Sequence, residues 1–167
     1  MAAANPDPST PLTSITGRTR VLDDWMTIFS LCLFAFPSWP EAADYVPLAE
    51  RALKVFRESD ARTAILVTGT EEQARRVLGP LADQYLVFCD PKREGIKGLK
   101  IERTPAFVHL RADTALEIKA EGWDADRWQE VADSIARATR WTKPVYPYPG
   151  DPAPFAGWDM TGTAGRG

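Results

Sequence analysis

The chain has 167 residues, 44% of them hydrophobic and 26% charged, with a net charge of −3. That length suits one domain with a core of its own, without metal or disulfide staples. The slight acidity offers no electrostatic attraction to nucleic acid or to an anionic membrane.

Residues 1–14 open with "MAAANPDPSTP" and are expected to be a flexible or loosely docked arm. "GRTRVLDDW" (17–25) reads as a hairpin or turn entering a helical turn, with Asp23 or Asp24 as its cap. "TIFSLCLFAF" (27–36) is almost continuously apolar and ends at Pro37, which predicts a central strand buried on both faces. The run has no basic lead-in and no small-residue cleavage site, so it is not read as a signal peptide and a cytoplasmic protein is expected. No stretch reaches the roughly 20 apolar residues of a membrane span, so no membrane insertion is expected.

A helix follows over 40–59, with Pro40 in its first turn and Pro47 kinking or restarting it. "TAILVTG" (63–69) is a strand. "TEEQARRVLGPLADQY" (70–85) is a helix capped by Thr70 and broken at Gly79–Pro80. "YLVFCD" (85–90) is a third strand, and "PKREGIKGLKIER" (91–103) a basic loop or short helix. "TPAFVHLRA" (104–112) and "TALEIKAEG" (114–122) form a hairpin. "WDADRWQEVADSIARATRW" (123–141) is a helix starting near Asp124 or Asp126, with Trp128, Val131, Ile135 and Ala138 on one face. This order describes an α/β sandwich with a mixed central sheet. Residues 142–167 carry Pro144, Pro147, Pro149, Pro152 and Pro154 and cannot form a helix or central strand. Their aromatics Tyr146, Tyr148, Phe155 and Trp158 imply docking, on the chain itself or on a partner. Gly162 to Gly167 are expected to be disordered. The domain organisation is thus an arm (1–14), a folded domain (15–141) and a proline-rich tail (142–167).

Four features together resemble the thioredoxin-like superfamily, closest to its peroxiredoxin and TlpA-like branch. They are "GRTRVLDDW" before an apolar strand, "FPSWPEAADYVP" at a strand-to-helix junction, "CDPKREGIKGLKIERTPAFVHL" before the hairpin, and "AEGW" before the last helix. The resemblance spans about residues 15–140. It implies a three-layer sandwich with a mixed sheet of four to five strands flanked by helices, and it places Pro105 at that family's cis-proline, with the isomer of the Thr104–Pro105 bond left open.

That family's chemistry needs a low-pKa thiolate at a helix start and a resolving thiol three residues on. Counting from Pro47 or from Trp39, those slots fall on Trp39 and Ala42, or on Pro40 and Ala43. Neither register holds a cysteine. The two cysteines, Cys32 and Cys89, sit in apolar stretches and read as buried, reduced thiols. Cys89 is the alternative nucleophile, with Asp90 expected to disfavour its thiolate. The single histidine, His109, reads as structural or half-exposed, and no cofactor or metal site is expected. Gly95 and Gly98 are read as turn glycines. Lys92, Arg93, Lys97, Lys100 and Arg103 form a solvated loop that would suit an acidic protein surface.

The resemblance implies that the residue before the proline offers its backbone to an extended peptide. Ser38, Trp39, Pro40, Thr104, Pro105 and Trp123 are therefore the candidate binding residues. The preferred reading is a redox-inactive protein-binding or chaperone module, of the hydrogenase-maturation kind, holding a protein or peptide segment or its own tail. The alternatives are a divergent peroxiredoxin-like or TlpA-like thiol oxidoreductase using Cys89, and an accessory structural subunit attached by its tail.

Overall fold

The computed structural model describes residues 4–162. Its centre is a five-stranded sheet in the order β5-β4-β3-β7-β8. Here β3 is Leu31–Pro37, β4 Arg62–Thr68, β5 Leu86–Cys89, β7 Ala106–Leu110 and β8 Leu116–Glu121. The first three are parallel, and β7 and β8 run antiparallel to their neighbours. All seven residues of β3 are buried, because helices cover both of its faces. Alternation along the strand divides the core. Cys32, Phe34 and Phe36 face one layer with α2 (Val46–Phe56), α3 (Glu71–Leu78) and α5 (Ala125–Thr139). Leu31, Leu33 and Ala35 face the other, with α1 (Leu22–Met26) and α4 (Glu94–Gly98).

Local chemistry accounts for most boundaries. Pro47 lies at the start of α2 and follows a 3-10 turn, Pro40–Tyr45, so the proline restarts the helix. Thr70 and Gln73 form a reciprocal capping box on α3, which breaks at Gly79 into a second 3-10 turn. The Asp124 side chain accepts from the Asp126 amide and caps α5.

Three expectations are corrected. The apolar run does not enter the sheet at Thr27: residues 27–30 make a turn that leaves Ile28 81% exposed, and β3 begins at Leu31. Thr27, at φ +56, swings the chain out after α1. Asp23 and Asp24 lie inside the first turn of α1 and neither caps it; the N-cap is Val21. Ala138 is exposed, while Trp128, Val131 and Ile135 hold the buried face of α5.

Both ends of the chain pack against the sandwich. In the expected arm, β1 (Pro11–Thr13) pairs with β2 (Thr19–Val21), and Leu12 is buried with its carbonyl accepting from Trp25 Nε1 at 2.9 Å. The Asp7 amide donates to the Gly98 carbonyl at 3.0 Å. Residues 1–3 of that arm lie outside the described residues.

The tail runs from α5 across α2 and ends beside β6 (Arg103–Thr104), where β9 (Trp158–Asp159) pairs with it antiparallel. Trp141 Nε1 donates to the Val55 carbonyl at 2.7 Å and Tyr146 Oη to the Leu48 carbonyl at 2.5 Å. Of the stretch 162–167 expected to be disordered, residues 163–167 lie outside the described residues. Among the described residues no helix is long and apolar enough to cross a membrane.

Candidate binding site

The site lies at the C-terminal end of β3. Beyond Pro37 the chain turns through Ser38 and Trp39, and Trp39 is the N-cap of the 3-10 turn. Ser38 is half-buried beside Gly69, Trp39 is half-buried and Pro40 is exposed. Across from them β6 leads into a cis Thr104–Pro105 bond, and both residues are buried.

The tail lies on this edge. Thr104 pairs with Trp158 and Arg103 with Asp159, and the Met160 amide donates to the Glu102 carbonyl at 2.7 Å. Trp158 meets Trp39 edge-on at 5.5 Å between ring centroids, Tyr45 at 5.6 Å and Phe155 at 4.8 Å. Phe155 in turn stacks on Tyr45 at 5.4 Å. These aromatic pairs add roughly 0.5–1.5 kcal/mol each beyond the area they bury. Trp39 and β6 are thus joined through Trp158.

Trp123 is 2% exposed beneath the tail. Its amide and carbonyl exchange hydrogen bonds with Phe155 at 2.7 and 2.9 Å, and its Nε1 donates to the Pro152 carbonyl at 2.8 Å. Trp123 supports the tail from below and presents no open face.

The Thr104 hydroxyl is buried without a hydrogen-bond partner, and an unpaired buried hydroxyl is unfavourable. Thr104→Val keeps the β-branched shape that the strand prefers. It is expected to raise stability by up to about 1 kcal/mol, read as a later urea midpoint. An earlier midpoint would show that the hydroxyl is satisfied.

Burial raises the pKa of both cysteines. Cys32 is the second residue of β3 and fully buried, and burial pushes its pKa far up. Cys89 ends the edge strand β5 and lines a cavity of about 530 Å³ with Leu12, Ile15, Phe88 and Glu71. Partial burial raises its pKa first, and the Glu71 carboxylate adds to this.

Asp90 is not the cause of that shift, contrary to expectation. Its carboxylate turns away to accept the Gly95 and Ile96 amides at 2.9 and 2.7 Å. It thereby serves the start of α4, and a Cβ on Gly95 would lie 2.8 Å from Leu12 Cδ2 and 3.1 Å from Asp90 Oδ2. A side chain at Gly95 would have to push Leu12 aside. Within the basic set, Arg103 Nη1 donates to the Gly157 carbonyl at 3.1 Å and Arg93 Nη1 to the Gly162 carbonyl at 3.4 Å.

His109 lies far from this edge, opposite Cys32 on β3. Its Nδ1 is 2.8 Å from Ser134 Oγ on α5, while Nε2 is buried without a partner. Burial holds its pKa down, to about 4. No carboxylate among the described residues hydrogen-bonds to the imidazole, and the His109–Ser134 pair links β7 to α5. Among the described residues no cluster of His, Cys, Asp or Glu is placed to hold a metal ion.

Sequence reasoning missed Arg51, Asp151 and Tyr45. Arg51 and Asp151 are 100 positions apart and form a two-pronged pair at 2.5 and 3.0 Å. Local periodicity does not encode such a separation. Tyr45 lies within the expected helix 40–59, and its part in the site depends on the tail bringing Phe155 and Trp158 against it.

The mixed sheet, its flanking layers and the cis-proline before the antiparallel hairpin define a thioredoxin-like fold. Solved structures bear this out. The C-terminal domain of a putative thiol-disulfide oxidoreductase from Bacteroides thetaiotaomicron superposes with a TM-score of 0.65 at 14% identity, covering 82% of this chain and 97% of that one. A putative thiol:disulfide interchange protein DsbE from Chlorobium tepidum gives 0.64 at 15% identity, covering 83% and 99%. Peroxiredoxin Q from Xanthomonas campestris gives 0.59 at 9%, covering 83% and 96%. No family model matches the sequence, and no curated protein matches it.

Proposed function

We propose that this protein is a thioredoxin-fold binding module that works without thiol chemistry, holding an extended protein segment along β6 beside Pro105. One observation carries the reading: residues 155–160 of the chain already lie on that edge as an added strand, with an aromatic side chain against Trp39 and Tyr45. Strand addition draws affinity from main-chain hydrogen bonds and specificity from alternate side chains, and neither requires a cysteine. The chaperone or assembly role implied by the sequence resemblance would use this same edge, and two unpaired thiols fit the reducing cytoplasm.

Insulin-disulfide and peroxide reduction by the wild-type chain are expected to stay at background and to be unchanged in Cys89→Ser. In parallel, a spin-labelled peptide of residues 154–162 at millimolar concentration should broaden the amide resonances of Arg103, Thr104 and Gly122 before others. Turnover that disappears in Cys89→Ser, or broadening spread evenly over the protein, overturns the proposal.

A further inference from the structure

The tail is held in two unequal parts. Its first part is anchored: Tyr146 is buried, Asp151 is clamped by Arg51, and the Pro152 carbonyl accepts from Trp123. Its second part, residues 155–160, is held by strand pairing with Trp123, Glu102 and β6 and by the aromatic contacts of Phe155 and Trp158. Phe155 and Trp158 are only half-buried there, and Met160 is the one side chain fully covered. The two parts meet at Pro152-Ala-Pro154, which has no helix or sheet ladder to break.

The second part also displays a sequence requirement. Trp158 and Met160 pack on the domain, while Asp159 between them is exposed, the alternation of a strand with one face down. Gly157 sits at φ +96, and a Cβ on it would lie 3.1 Å from both the Gly122 Cα and the Thr104 carbonyl oxygen. A side chain at that position meets backbone on both sides. Gly122 is constrained in the same way, since its Cβ would lie 2.7 Å from the Phe155 and Ala156 carbonyl oxygens.

We propose that residues 155–160 are a displaceable occupant of the β6 edge. The edge accepts in trans an extended protein segment of the pattern glycine–aromatic–any–aliphatic, in competition with the chain's own tail. This rests on the binding-module reading above and adds the ligand class and its gate. A tethered segment acts at an effective concentration on the order of millimolar. In the intact chain, a free copy of the segment therefore binds with an apparent dissociation constant no tighter than about that value. A partner engages only if its own segment outcompetes the tail or brings contacts elsewhere.

The test uses the full-length chain, its Gly157→Val variant, and a second variant, Trp158→Ala/Met160→Ala, that loosens the same segment without backbone strain. The probe is a fluorescent peptide of residues 154–162, and hydrogen exchange at the Phe155 and Met160 amides reports tail release without any ligand. Both variants should exchange faster at these amides and bind the peptide at least about tenfold more tightly than wild type. A peptide carrying valine in place of its glycine should fail to compete. Open amides with no peptide binding overturn the binding-module reading and this proposal with it. Equal, tight peptide binding by wild type and variants leaves the module standing and overturns the gate. Amides that stay protected in both variants also overturn the gate, and an active valine peptide overturns the glycine requirement.

Discussion

Tyr146→Ala is expected to destabilise the protein by about 3–5 kcal/mol, the range for removing a buried large aromatic. Tyr146 is 5% exposed, although it lies in a stretch too rich in proline for helix or sheet. Its ring meets Trp123 at 5.8 Å and Trp128 at 5.7 Å, and the Arg51 guanidinium lies over it at 4.9 Å. Its hydroxyl closes on the Leu48 carbonyl inside α2. Tyr146→Phe keeps the ring and should lose only about 1 kcal/mol, the usual worth of one hydrogen bond. Urea unfolding of both variants checks this. A loss below about 1 kcal/mol for the alanine variant would mean that the tail lies on the domain without completing it.

That result bears on how the chain divides. A boundary at residue 141 follows from composition, where a helix ends and prolines begin. In the folded protein, Tyr146 belongs to the same core layer as Trp123, Trp128 and Ile135. A version ending at Trp141 would expose these aromatics as well as losing an arm, so altered association of such a version would mix two causes. The point substitutions at Gly157, Trp158 and Met160 avoid this because they leave the Tyr146 anchor in place.

The second large effect is expected in acid. The folded-state pKa of His109 is about 4, against 6.5 for an unperturbed histidine. Desolvation is the main cause, with Glu117 pulling the value up and Arg137 pushing it down. Below pH 6.5 the unfolded chain binds a proton that the folded chain refuses. The contribution is complete above pH 6.5, declines as the pH falls, and levels off near pH 4. It amounts to roughly 3 kcal/mol over that window. His109→Gln removes the titrating group while leaving a side chain able to reach Ser134. The difference between the wild-type and variant unfolding free energies should therefore change steadily from pH 6.5 to 4.5. A difference constant over that interval would show that His109 is protonated alike in both states.

Much of the fold follows from short-range rules that a sequence displays openly. Thr70 and Gln73 lie three residues apart, and their mutual capping needs nothing beyond the helix they begin. Pro47 restarts a helix because its ring and missing N–H act on its immediate neighbours. The lack of a cysteine over residues 37–47 is likewise complete in the sequence. Hydropathy alone could not divide residues 27–30 from 31–36, because Ile28 and Phe29 extend the apolar run toward the N-terminus. Only the pairing of Leu31 with Arg62 and Leu110 sets where the strand begins.

The candidate site was half legible. Trp39, Thr104 and Pro105 stand out by type and order, but what lies on them is decided by residues more than fifty positions away. Pairing Thr104 with Trp158 requires the tail to cross α2, and that path is held by Arg51, Tyr146 and Trp123 together. The sequence by itself determined the layered sandwich, most of its caps and breaks, and a thiol-free loop, because those depend on neighbours within a few residues. The tertiary structure alone decided that the proline-rich tail completes the core and occupies the β6 edge. Such contacts are set by shape and burial between distant segments, which no local pattern records.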